Sequence, residues 1–533
     1  MKRTVFLLCC FVFGVAEARD TLVAKRYLVA AANPLAAEAG AQVLKRGGSA
    51  VDAAVAVQLV LGLVEPESSG IGGGAFLLHW SESERKLRTY DGRETAPASA
   101  RPDRFLREGK PLPFLEAAVG GRSVGVPGVL RMLEAAHARH GRLPWHELFV
   151  SAIRIAEEGF PLSPKLHAAL ERESFLPKDP AARQLYYGRP VGSKIVNRAY
   201  ADTLRAIARG GARMFYEGDI AKDMALAVRT HANAGDLTEQ DLAGYRALER
   251  EAVCGPYRQW RLCSMGPPSS GGVAVLQMLG LLERTAFARA PPESVAALHL
   301  FAEAGKLAYA DRARYLGDPD SVPVPTKRLL DPGYLDKRAR LIGERAMALA
   351  PPGDAESGTS HFSIVDARGD IVAMTTTIES GFGSRIMVRG FLLNNQLTDF
   401  DFAPGGPNSV AGGKRPRSSM APSIVFDRNE PLLAIGSPGG SMIINYVAKA
   451  LVGVLDWGLP VQAAIDLPNY GSRNGPTLIE QGSRYEKLAA PLTDLGHQVD
   501  RIPLASGLHG IERVPGGWRG GADPRREGAV RGE

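Results

Sequence analysis

The sequence predicts a layered α/β protein, and three observations carry that expectation. Between about Val129 and Thr285, apolar residues recur at helical spacing, as in Leu204, Ile207 and Ala208 or Ile220, Met224 and Ala227. From Ser360 the pattern changes to strand-like runs, His361 to Val365 and Ile371 to Thr376, separated by the hairpin turn Ala367-Arg368-Gly369-Asp370. Two almost wholly apolar helical stretches, Ala53 to Val64 and Ile443 to Leu455, have to be buried, and helices packed outside sheets make a layered domain. Pattern alone leaves the strand order open.

Residues 1–18 read as a targeting segment. Lys2-Arg3, the mostly apolar run Val5 to Val15 and Ala16-Glu17-Ala18 give a positive start, a short apolar stretch and a small-x-small cleavage site. The apolar run is too short to span a bilayer, and no later segment has spanning length. Cys9 and Cys10 lie too early for lipid attachment. The expected mature protein begins near Arg19, is soluble, and is periplasmic or secreted, with no membrane partner.

Asn33 caps a helix opened by Pro34, which stops at Gly47-Gly48 where glycine tolerates the left-handed terminal conformation. Ser49, with Asp52 three residues on, comes close to a capping box for the next helix. The turn Ser68-Ser69-Gly70-Ile71-Gly72-Gly73-Gly74 then leads into the strand Ala75-Phe76-Leu77-Leu78. Its order is helix, loop, strand, the reverse of a dinucleotide loop, so no nucleotide cofactor is expected. Pro267-Pro268-Ser269-Ser270-Gly271-Gly272 interrupts the helical middle, and Leu298 to Leu316 resumes it up to Gly317-Asp318-Pro319. Ala350 to Gly358 is small, polar and proline-containing, as an exposed loop would be. Later strands are Phe391-Leu392-Leu393, Ser423 to Phe426 and Leu432 to Ile435.

A chain of 533 residues holds two or more average domains or one large layered core. An apolar content of 45% with 23% charged residues is that of a soluble globular protein. The net charge of +7 is dispersed, with part in Asp523-Pro524-Arg525-Arg526 and part in Lys414-Arg415-Pro416-Arg417. No basic stripe with interleaved aromatics exists, so no nucleic-acid partner is expected. Cys254 and Cys263 fall opposite one another in a hairpin turning near Arg258-Gln259, within disulfide reach; the alternative is two buried free thiols. Two cysteines without a nearby histidine pair make no structural zinc site, and no metal is expected.

Thr359 follows a flexible glycine and opens a strand in Gly358-Thr359-Ser360-His361. Taken alone, it is an ordinary β-former. A set of motifs changes that reading. They are Gly47 to Ala54, Ser69 to Gly74, Asp91-Gly92-Arg93-Glu94-Thr95-Ala96-Pro97, Gly125-Val126-Pro127-Gly128, Pro267 to Gly272 and Leu316 to Pro319. The last third adds Leu393-Asn394-Asn395-Gln396, Arg415 to Met420, Gly436-Ser437-Pro438-Gly439-Gly440-Ser441 and Ala522-Asp523-Pro524-Arg525. In this order, over nearly the whole mature chain, they resemble the gamma-glutamyltranspeptidase family. The resemblance implies an N-terminal-nucleophile hydrolase fold, a four-layer αββα sandwich made of two subunits from one precursor. Residues 19–358 would form the large subunit and 359–533 the small one.

Residue by residue, the resemblance implies that the Gly358-Thr359 bond is cut and that Thr359 becomes the nucleophile. An N-terminal threonine carries its own base, an α-amine of ordinary pKa about 8. Thr377 would orient that amine or the hydroxyl. Gly439 and Gly440 would form the oxyanion hole with backbone N–H groups. Arg93 would clamp the substrate's α-carboxylate bidentately, with Ser418 and Ser419 adding hydroxyls; by itself Arg93 reads as a surface ion pair with Glu94 or Asp91. Gln396 and Asp399 would bind the α-ammonium.

Two departures stand out. Glu379 occupies a position two residues after Thr377 where many transpeptidases carry asparagine; a carboxylate there can bind an ammonium and repel a second acid. The segment from Asp401 to Gly413 is short and lacks a tyrosine-bearing lid, which leaves the pocket open to water and bulky substrates. The expected activity is therefore hydrolysis of γ-glutamyl amides such as glutathione through a γ-glutamyl-enzyme ester, with water favoured over an amine acceptor and no cofactor. The alternatives are an acylase or amidase for another carboxylate-bearing amide, of glutaryl or oxamate type, and an exported binding protein that never matures.

Overall fold

A computed structural model describes residues 21–347 and 358–533. The expected targeting segment, residues 1–18, and nearly all of the expected loop before Gly358 lie outside the described residues. The strands of the two central sheets begin with β1 (Val23–Ala24), β2 (Leu28–Ala31), β3 (Gly74–Ser81), β4 (Lys86–Gly92), β5 (Leu248–Arg250), β6 (Val253–Tyr257) and β7 (Trp260–Ser264). They continue with β8 (Gly358–Val365), β9 (Ile371–Glu379), β10 (Ser423–Asp427), β11 (Glu430–Gly436), β12 (His509–Val514), β13 (Gly517–Ala522) and β14 (Ala529–Gly532). One seven-stranded sheet runs β14-β2-β8-β9-β3-β4-β5 and the other β1-β13-β12-β11-β10-β7-β6. Every neighbouring pair in both is antiparallel.

The helices sort to the two outer sides. Helices α1 (Pro34–Lys45), α2 (Ala50–Val64) and α3 (Val129–His140) cover the first sheet, while α4 (Gly271–Glu283), α5 (Val295–Tyr315) and α6 (Ile443–Leu455) lie on the side of the second. Strands β2, β8 and β9 pack face to face on β11, β12 and β13. The architecture is thus the αββα sandwich.

Local chemistry explains the helix starts. The Asn33 side chain accepts from Leu35 N–H with Pro34 at the first turn, and Ser49 and Asp52 close a complete capping box. Every residue of α2 except Gly62 is buried, as its unbroken apolar sequence requires. Alternation along the strands feeds two cores. Ala75 and Leu77 of β3 join the core beneath α2, whereas Phe76, Leu78 and Trp80 join the core shared with the second sheet. In the β6–β7 hairpin Cys254 pairs with Cys263, and the sulfurs are joined at 2.05 Å. Among the described residues, no helix is long and apolar enough to cross a membrane.

Candidate active site

The same alternation aims the centre of the site. In β8, Phe362 and Ile364 face the helices, and in β9 Val372 and Met374 do likewise. The residues of opposite parity, Thr359, His361 and Ser363 on β8 and Thr375 and Thr377 on β9, therefore face the second sheet. The register pairs Thr359 with Thr377 and His361 with Thr375. Thr359 is 2% exposed. His361 bonds Thr375 Oγ1 at 2.8 Å and Ser363 Oγ at 3.1 Å. Burial pushes its imidazole well below the ordinary value, so it is a neutral packing group.

Ser360 points the other way and donates to Glu65 Oε2 at 2.8 Å. Lys165 ion-pairs with Glu65 and lies 3.0 Å from Glu67. Arg526 donates to the Thr359 carbonyl at 3.1 Å. These contacts fix β8 at the Thr359 carbonyl and at Ser360. The Ser68–Gly74 turn lies on the end of β9, where a Cβ on Gly73 would stand 2.0 Å from the Thr377 carbonyl oxygen. The glycines serve close backbone approach.

Strand β11 ends at Gly436 and the chain turns through Ser437-Pro438-Gly439-Gly440 into α6. Gly439 has φ 126° and Gly440 φ 57°. Gly440 opens a short 3-10 turn, Gly440–Met442, and the first N–H groups of a helical segment have no partner within it. Gly440 lines a cavity of about 170 Å³ together with Thr359, Thr377, Arg93, Glu379, Gln396, Asp399, Ser418 and Ser419. Of the expected site residues, only Gly358 and Gly439 stand just outside that lining.

The polar groups are arranged differently from a simple clamp. Arg93 is 1% exposed, which removes the surface ion-pair reading. Its Nη2 donates to Asp399 Oδ2 at 2.5 Å and to the Arg417 carbonyl at 3.2 Å, and its Nε to the Pro416 carbonyl at 3.1 Å. Glu94 Oε2 is 3.9 Å from Arg93 Nη1, and burial raises the Glu94 carboxyl to about 8 despite the guanidinium. Asp399, expected to meet an ammonium, also accepts from Gln396 Nε2 at 2.7 Å.

Glu379 sits at φ 80° with Oε2 accepting from Asn395 Nδ2 at 2.8 Å. Its Oε1, and Oε1 of Gln396, are buried oxygens with no hydrogen-bond partner among the described residues. Burial, and then the nearby Asp399 charge, raise the Glu379 carboxyl to about 8. Ser418 Oγ accepts from Met420 N–H at 3.1 Å, and Ser419 Oγ from Arg312 Nη2 at 2.8 Å.

The short segment after Asp401 is pinned down. Asn408 donates to the Asp399 carbonyl at 2.8 Å and accepts from Arg417 N–H at 2.8 Å, and Lys414 donates to the Pro407 carbonyl at 2.8 Å. One group of metal-type ligands exists among the described residues, His299, Glu303 and His497. None of the three lines the cavity. Glu303 is already 2.8 Å from the Lys306 ammonium, and the two imidazoles bond each other at 2.8 Å.

Sequence reasoning missed Arg312, Asp401, Arg417 and Ser441, all of which line the cavity. Arg417 and Ser441 lie inside motifs that were legible. Arg312 carries no local signal beyond its place four residues before Leu316-Gly317-Asp318-Pro319.

Residues 36–533 match the family model described as Gamma-glutamyltranspeptidase. The chain is 37% identical over 545 residues to the glutathione hydrolase proenzyme of Bacillus subtilis strain 168, covering 96% of this chain and 92% of the relative. It is 35% identical over 514 residues to the acylase ACY 1 proenzyme of Pseudomonas sp. strain V22, covering 93% and 91%. Among solved structures, the cephalosporin acylase from Bacillus halodurans is similar with a TM-score of 0.88 at 29% identity over 99% of each chain.

Proposed function

The chain belongs to the gamma-glutamyltranspeptidase family, and we propose that within it this protein is a self-processing N-terminal-threonine amidohydrolase acting on γ-glutamyl amides such as glutathione. The observation that carries the donor reading is the pair of buried oxygens without a hydrogen-bond partner, Glu379 Oε1 and Gln396 Oε1, on residues that line the same cavity as Thr359. An α-ammonium can donate to Gln396 Oε1 and, once the Glu379 carboxyl has given up its proton, to Glu379 Oε1. Its charge also pulls the Glu379 carboxyl down from about 8 and lets it ionise on binding.

The chemistry runs in two stages. In the precursor, the Thr359 hydroxyl attacks the Gly358 carbonyl, and hydrolysis of the resulting ester frees the α-amine. In the mature protein that amine takes the hydroxyl proton as Oγ attacks the substrate's γ-amide carbon. Backbone N–H groups at Gly439-Gly440 stabilise the oxyanion. The leaving amine departs with the proton, and the γ-glutamyl ester is resolved by water or by an amine acceptor. With the 401–413 segment short and pinned, water reaches the ester readily, which favours hydrolysis over transfer. Residues 19–358 and 359–533 would be the two subunits, and residues 1–18 would direct export to the periplasm or beyond.

A second reading has its own support. Arg93 and Asp399 neutralise each other, and a neutral Glu379 leaves the cavity without a free carboxylate partner for an ammonium. A glutaryl amide, which has no α-amino group, suits that state, and acylases stand among the relatives. Turnover of purified, cleaved protein on γ-glutamyl-anilide against glutaryl-anilide decides between them. Faster turnover of the γ-glutamyl compound is expected; preference for glutaryl overturns the donor reading. On a denaturing gel the 56.9 kDa precursor should give two bands, splitting its mass roughly two to one. Thr359→Ala should stay as one band without activity, and retained cleavage would remove Thr359 as nucleophile.

A further inference from the structure

The charges around the cavity do not balance. Arg93 meets Asp399 at 2.5 Å and Arg417 meets Asp401 at 3.0 Å. Arg312 instead donates Nε to Ser270 Oγ and Nη2 to Ser419 Oγ, both at 2.8 Å. Among the described residues it has no carboxylate at ion-pairing distance. Three lining arginines face the carboxylates of Asp399 and Asp401 while Glu379 is held neutral, so one positive charge is left over. Desolvation and the Arg417 charge lower the Arg312 guanidinium to about 10 against the weaker opposing pull of Asp399 and Asp401, so it remains charged at neutral pH and gains from an anion.

We infer that Arg312 is a specificity-determining residue of this cavity: its guanidinium, held against Ser270 and Ser419, is the uncompensated charge that selects donors with a free carboxylate on the acyl chain. The inference rests on the amidohydrolase reading above. The half-buried guanidinium of Arg312 has neutral hydroxyls as its side-chain hydrogen-bond partners, and a carboxylate matches both its charge and its fork. The hydroxyl polarity agrees. Ser419 Oγ accepts the Arg312 N–H, so its own proton is left to donate to a ligand oxygen. Ser419 thus passes the charge of Arg312 to the bound group, in a wall where Arg93 is already engaged by Asp399.

The bland alternative is that Arg312 only closes the last turn of α5, as basic residues do near a helix C-terminus. The exposed Arg314 of the same turn is the control. Arg312→Met, Arg312→Lys and Arg314→Met are compared with wild type on γ-glutamyl-anilide and on 4-aminobutyryl-anilide, which lacks the carboxylate. Arg312→Met should lose kcat/KM on the γ-glutamyl compound at least tenfold more than on the 4-aminobutyryl one, mostly through KM. Arg312→Lys should recover part of the difference, and Arg314→Met should show none. An equal loss on both substrates overturns the inference.

Calorimetric titration of the cleaved proteins with glutarate separates this inference from the donor reading. Binding to wild type that weakens at least tenfold in Arg312→Met sustains the subsite even if no γ-glutamyl amide is turned over. Equal glutarate affinity, or none in wild type, overturns it.

Discussion

Replacing Gly439 by alanine tests the proposed oxyanion hole at a position where an added side chain has no room. Gly439 has φ 126°, a conformation that an L side chain adopts only under strain of about 1–3 kcal/mol. An added Cβ would also lie 2.5 Å from Cε2 of the buried Tyr446 ring, where carbon–carbon contacts normally sit at about 3.5–4.0 Å. One side has to retreat by roughly 1 Å, and overpacking of that kind costs about 1–3 kcal/mol. The two together amount to ~2–6 kcal/mol, a large fraction of an ordinary domain's stability. Tyr446 is held in α6, whereas the Gly439-Gly440 turn is free of side chains, so the turn is what shifts.

Loss of one oxyanion donor lowers kcat by about 10²–10³-fold, and a misplacement near 1 Å has an effect of about 10²-fold. The expected result for Gly439→Ala is therefore a lowered melting temperature, a kcat down by about 10²–10³-fold and a KM changed by less than about threefold. Cleavage of the precursor, followed on a gel over hours, should slow in parallel, because both reactions develop charge on the same kind of oxygen. A variant with a lowered melting temperature but kcat within threefold of wild type would refute the placement of the oxyanion hole at this turn.

Two further variants follow from the same geometry. The Glu379 and Glu94 carboxyls both stand at about 8 in the fold against an ordinary 4.5, so the folded state keeps protons that the unfolded chain has lost. Stability from this source is full below pH 4.5 and is lost as pH rises toward 8. Glu379→Gln should flatten the fall of melting temperature across that window without abolishing it, since Glu94 remains; an unchanged slope would contradict the raised Glu379 value. Asp399→Asn removes the charged partner of buried Arg93, an interaction of about 1.5–3 kcal/mol, and should lower kcat/KM on γ-glutamyl-anilide by about 10–100-fold. Unaltered kinetics there would show that the Arg93–Asp399 pair lies apart from the bound donor.

What could be read from the sequence was local. The caps at Asn33 and Ser49, the hairpin that sets Cys254 against Cys263 and the hairpin of β8 and β9 depend on residues a few places apart. The order of strands was hidden because β2 pairs with β14 at the opposite end of the chain. Motifs brought most of the cavity-lining residues into view one by one, yet not their partners. Arg93 and Asp399 are 306 positions apart, so the ion pair that joins the expected clamp to the expected ammonium ligand was hidden. Arg312 was hidden for another reason. On a helix whose apolar spacing already accounts for its neighbours, one arginine has no pattern to break.

The value of the Glu379 carboxyl shows why the donor could not be read from residue types. A glutamate near a pocket suggests a negative charge, but burial and the Asp399 charge hold this one neutral. An ammonium therefore meets an acid that ionises only because the ammonium has arrived, and part of its binding energy goes into moving that proton. A glutaryl chain requires no such change. The preference between the two donors then depends on whether the pairing of the ammonium with Glu379 and Gln396 exceeds the free energy of that deprotonation. The balance shifts toward the γ-glutamyl donor as pH rises toward 8, so long as the donor's own amine stays protonated.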